Sequence, residues 1–161
     1  MKKLSIIFFV LFLAGLSACN KNQYIYYDGP DFFYFDTAQS SPTSILDEAS
    51  ITGGNAAEYY IHFSTRSREN PVTVSYTIST TQGLTEGVDY RLIGESAEKK
   101  LVFYPGSNYD RPIRMEFLPH KLDQEEKITI TLSECSESGI MLGKPGPSAI
   151  GRSLTIIKTN H

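Results

Sequence analysis

From Glu58 to Ile156 the chain returns repeatedly to one pattern, an apolar residue, a polar one, then an apolar one again. Tyr59, Ile61 and Phe63 alternate with Tyr60, His62 and Ser64; Val72, Val74, Tyr76 and Ile78 alternate with Thr73, Ser75, Thr77 and Ser79. The period of two recurs at Leu101 and Phe103, at Ile113, Met115 and Phe117, at Ile128, Ile130 and Leu132, and at Leu154 and Ile156. Successive side chains of a strand point to opposite faces, so each run predicts a strand with one buried side. Turn-forming stretches separate the runs: GLTEGVD, PGSNYD, LPHKLDQEE and GKPGPSAIG. The charged linker Arg66 to Asn70 reads as a hairpin loop joining two neighbouring strands. No window holds a helical period, and Ser44 to Glu48 and Leu122 to Lys127 could form one helical turn at most. Many short strands at this spacing predict an all-β sandwich.

Upstream lies YIYYDGPDFFYFD, in which Asp28-Gly29-Pro30 separates two aromatic groups. Phe32 to Phe35 reads either as a first strand feeding the core or as a platform on which sugar rings stack. Tyr24, Tyr26 and Tyr27 stand before the domain as candidate ligand contacts. Tyr109, in the PGSNYD turn, is expected to be exposed and joins them.

The N-terminus is of a different kind. Lys2 and Lys3 precede an uncharged apolar run, Leu4 to Leu16, that is shorter than the roughly 20 residues a membrane-crossing helix needs. It reads as a processing signal, with the small residues Gly15, Ser17 and Ala18 near its end. Leu16-Ser17-Ala18-Cys19 resembles the lipobox of bacterial lipoproteins, which implies cleavage before Cys19 and acylation of its thiol. Each buried methylene of such a lipid contributes about 0.8 kcal/mol, and two or more chains anchor firmly. The expected organisation is residues 1–18 as a cleaved lipoprotein signal peptide, 19–30 as lipidated cysteine and tether, and 31–161 as a single sandwich domain.

The chain of 161 residues carries a net charge of −3, and the removed signal takes two lysines with it. An acidic domain without a basic stripe disfavours nucleic acid as a partner. Only two cysteines exist. Once Cys19 carries lipid, Cys135 has no intrachain partner and reads as a small, half-buried apolar residue.

Within EGVDYRLIGESAEKKLVFYPGSNYDRPIRMEFLPHKLDQEEKITITLSE the order of motifs resembles Calx-beta-type domains. The matches are Gly87, Asp89 and Tyr90 at a G-x-D-Y turn, Phe103, Pro105 and Gly106 at F-x-P-G, the strand Ile113 to Phe117, and Ile128, Ile130 and Leu132. The resemblance implies an immunoglobulin-like β-sandwich. Each match also has a local reason: Gly87 for positive φ, Asp89 for bonding backbone N–H groups, Tyr90 for burying its ring, Pro105-Gly106 for a type II turn. Some Calx-beta domains bind Ca²⁺ through converging carboxylates. Here Asp123, Glu125 and Glu126 occupy the expected turn, but Ile156 to His161 at the end of the chain has no acid. The turn is therefore read as a solvated loop, and no metal or other cofactor is expected.

Lipobox, tether, aromatic opening and one such sandwich together also resemble small lipoproteins of Bacteroidota, many of them associated with glycan uptake at the outer membrane. The resemblance implies lipid-anchored localisation at the cell outer membrane, with a glycan or an envelope protein as partner and the face undetermined. His62, on the Ser/Thr face of its strand, His120 and His161 have no metal-binding spacing, and no nucleophile elbow or phosphate loop is present. The expected function is a non-catalytic binding or accessory module. The alternative is a structural or adhesion component, against which Pro71 and Pro112 blunt strand edges.

Overall fold

The structure, a computed structural model, describes residues 28–36, 55–81, 83–107, 109–119 and 126–158. Cys19, Tyr24, Tyr26, Tyr27 and the segment Ser44 to Glu48 lie outside the described residues. The strands are β1 (Phe32–Phe35), β2 (Asn55–Ser64), β3 (Val72–Thr80), β4 (Tyr90–Leu92), β5 (Lys100–Phe103), β6 (Asp110–Phe117), β7 (Glu126–Cys135), β8 (Met141–Leu142) and β9 (Ser153–Lys158). They form two sheets, one ordered β4-β6-β2-β1-β8 and the other β5-β3-β7-β9. Strand pairing is antiparallel except between β1 and β8. A 3-10 turn, Gly94–Glu98, precedes β5 and was not foreseen from the pattern.

The alternation becomes the core. Phe33, Phe35, Tyr59, Ile61, Phe63, Ile113, Met115 and Phe117 of the first sheet face Val72, Val74, Tyr76, Leu101, Phe103, Ile128, Ile130, Leu132, Leu154 and Ile156 of the second, all buried. Full burial of one such side chain contributes about 1.5–3 kcal/mol. Phe33 stacks on Phe63 at 4.1 Å between ring centroids, and Phe103 closes on Phe33 from the opposite sheet at 5.0 Å. The platform reading of Phe32 to Phe35 therefore gives way to the core reading, with Phe33 and Phe35 inward and Tyr34 on the outer face.

The predicted hairpin is not formed. β2 pairs with β1 and β6, whereas β3 pairs with β5 and β7, so the linker crosses from one sheet to the other. Period-two patterning specifies which face of a strand is buried and is silent about its neighbours. Arg68 fixes the crossing: its guanidinium lies 3.2 Å from Asp31 and 2.9 Å from Glu137, and 5.7 Å from the centre of the Phe63 ring.

The turn motifs behave as their chemistry requires. Gly87 takes φ +89°, and the fully buried Asp89 accepts the Thr85 N–H at 2.7 Å. Gly106 takes φ +69° while the Ser107 N–H donates to the Tyr104 carbonyl, the arrangement of a type II turn. Pro112 lies inside β6 opposite Tyr60. The N–H and carbonyl of Arg114 bond to Ser96 and Ile93 on the side away from β2. Pro112 has the same orientation two residues earlier, so its missing N–H faces that side and leaves the β2 ladder intact.

Glu126 is a correction. It opens β7 and is buried, not part of a solvated loop or a helical turn. The alternation that points Ile128 and Ile130 inward also points Glu126 inward. Its carboxylate accepts the Thr81 hydroxyl, whose oxygen accepts the Lys127 N–H at 2.8 Å.

Candidate functional site

Of the candidate contacts, Tyr109 alone is described, and it is half-buried rather than exposed. Its ring meets Phe63 edge-on at 6.2 Å, because the turn folds back over the end of the core. Two other surfaces carry the aromatic and ionisable groups.

The first is the outer face of the five-stranded sheet, where register aligns Tyr34 with His62 and His62 with Asp110. His62 Nδ1 is 2.7 Å from Asp110 Oδ1, and the Tyr34 ring lies 5.1 Å from the imidazole. Lys144 Nζ sits 4.4 Å from the centre of the Tyr34 ring, a cation–π contact that occupies that ring. Burial, with Asp36 and Asp110 nearby, raises the Tyr34 hydroxyl pKa above its ordinary value. One register step on, the Tyr60 hydroxyl donates to Glu58 at 2.6 Å, and Arg114 Nε donates to the same carboxylate at 2.8 Å. Those two bonds, Tyr60's foremost, hold the Glu58 carboxyl below its usual pKa. The face is thus a set of groups already bonded to one another.

The second is an open cleft of about 470 Å³ beside β5, bordered by Glu95 and Glu98 of the 3-10 turn, Lys100, Val102, Tyr104 and Arg111. Lys100, Val102 and Tyr104 share the outer face because Leu101 and Phe103 point inward. The Arg111 guanidinium reaches from β6 across to the Val102 carbonyl and to Glu95, tying the two sheets at this edge. Tyr104 is 54% exposed, the most open aromatic side chain among the described residues. Its carbonyl is held by the Ser107 hydroxyl at 2.6 Å, so the turn that presents the ring is braced. The sequence carries a signal for this residue: the β5 alternation, continued by one position, places Tyr104 outward.

Glu95 and Glu98 are both exposed, and Glu95 is paired with Arg111. Cys135 is half-buried, and burial is the main cause that pushes its thiol pKa up, which opposes nucleophilic reactivity.

A calcium cage is not assembled from what is described. The buried carboxylates Asp89 and Glu126 bond to Thr85 and Thr81, and among the described residues no group of three or more His, Cys, Asp or Glu is placed to hold a metal ion. Asp123 and Glu125 lie outside the described residues. Among those residues, too, no helix is long and apolar enough to cross a membrane.

The architecture matches solved structures. The apo form of the Calx CBD1 domain is 17% identical and aligns over 83% of this chain and 99% of that one, with a TM-score of 0.56. CBD12 from CALX1.2 is 21% identical over 80% of this chain and 43% of its own length, with a TM-score of 0.50. No protein-family model and no curated protein matches the sequence. The chain has the immunoglobulin-like β-sandwich fold of Calx-beta domains, as the motif order from Gly87 to Leu132 implied.

Proposed function

We propose that the chain is a non-catalytic lipoprotein of the cell envelope, anchored to the outer membrane through lipid on Cys19 and acting as a binding or accessory module in glycan or nutrient uptake. The observation that carries this reading is the open cleft beside β5, where an exposed tyrosine and charged side chains stand on a braced scaffold without a desolvated acid. The Calx-beta fold supports it as a scaffold that presents turns and sheet faces to partners.

Cell fractionation tests the anchor. Cys19→Ala is expected to move the protein from the membrane to the soluble fraction, and retention in the membrane at high salt would overturn it. Protease shaving of intact cells, with a periplasmic protein as control, then separates two placements. Digestion supports nutrient capture outside the cell, and protection supports an accessory role facing the periplasm.

A further inference from the structure

We infer that the cleft beside β5 binds a neutral, pyranose-containing glycan, with the open ring of Tyr104 as its stacking wall. This rests on the binding-module reading above and gives it a ligand class. The volume, about 470 Å³, falls in the range of small-ligand sites. Other tyrosines are already engaged: Tyr59, Tyr76 and Tyr90 lie in the core, Tyr34 under Lys144, and Tyr109 against Phe63. Tyr104 instead leaves an apolar ring in water beside the half-buried Val102, and both become drier when a flat, C–H-rich sugar face covers them. The ring stands on a turn pinned through its own carbonyl, so little ordering is needed on binding.

The charges narrow the class. Glu95 and Arg111 form one pair, and Glu98 and Lys100 carry opposite signs, so the cleft has no net formal charge. An acidic polysaccharide gains no electrostatic match from it, and the chain as a whole is acidic. A polyhydroxyl ligand can instead donate to Glu98 and accept from Lys100. An extended peptide is disfavoured, since strand addition along β5 would need the Val102 carbonyl that Arg111 already holds.

Affinity electrophoresis of the full-length protein, in a polyoxyethylene detergent, tests this in gels containing mixed-linkage β-glucan, galactomannan, polygalacturonate or gelatin. Retardation is expected with at least one of the two neutral polysaccharides and not with polygalacturonate or gelatin. Tyr104→Ala should weaken it at least about tenfold, Tyr104→Trp should preserve it, and Glu98→Gln should weaken it several-fold. An unchanged unfolding midpoint for Tyr104→Ala assigns the loss to the ring. Retardation by polygalacturonate or gelatin alone, by no gel at all, or equally for Tyr104→Ala, overturns the inference. Membrane release of Cys19→Ala is read separately, so failure here is distinguishable from failure of the envelope reading.

Discussion

Arg68 shows how much one residue can settle. It sits half-buried between Asp31, Glu137 and the face of Phe63, joining the entry to β1, the turn after β7 and the linker that crosses between the sheets. Its replacement by Met should lower stability by about 1–2 kcal/mol in urea unfolding, since both carboxylates lose a charged donor while keeping partial access to water. Arg68→Lys should recover only part, because a point charge cannot span both carboxylates as a planar fork does. Tyr76 offers a pH test. Burial is the main reason its hydroxyl pKa is pushed up to about 12, and it donates to the Ser96 carbonyl at 2.7 Å. The folded state therefore favours the neutral phenol; that contribution is complete below the ordinary value of 10.0 and is lost as pH rises through about 12. Tyr76→Phe should lose about 1 kcal/mol at neutral pH and show a shallower fall in stability over that alkaline window.

Among the elements, β5 and the connection from β8 to β9 carry the constraints. β5 ends its sheet, and its outward Val102 carbonyl is taken by Arg111, which counters assembly by strand addition at that edge. In the Gly143 to Gly151 loop, Gly143 has φ +94° and its Cα faces the Ala149 backbone, where an added Cβ would collide with the carbonyl. Gly143→Ala should accordingly cost about 2–4 kcal/mol by thermal or urea unfolding, combining the left-handed backbone with a clash that no flexible side chain can relieve. The positions of β2, β3, β5, β6, β7 and β9 were legible in the period-two runs, whereas β4 and β8 are too short to show a period. The partnership of β2 and β3 was not legible, because two amphipathic strands read the same whether they lie side by side or face each other across a core.

On the scale of the whole molecule, strand directions place the start of β1 at the same end as the linker crossing and the Tyr104 turn. EDTA is expected to leave the thermal midpoint of the purified protein unchanged within about 1 °C. A clear fall would reveal a metal cage built with residues beyond those described, Asp123 and Glu125 foremost.

The sequence by itself determined the all-β class, the inward apolar residues of the six strands with a period of two, the turn chemistry of Gly87, Asp89 and Gly106, and the motif order that pointed to the Calx-beta fold. These are local properties: side-chain alternation, φ preference and short-range hydrogen bonding act within a few residues. Only the tertiary structure decided that β2 and β3 lie on opposite sheets, that Glu126 is buried against Thr81, that Tyr109 packs on Phe63, and that Tyr104 borders a cleft with Glu98 and Arg111. Each of those partnerships depends on contacts between segments far apart in the chain, which the global packing of the two sheets selects; a local pattern gives at most the face on which a residue lies.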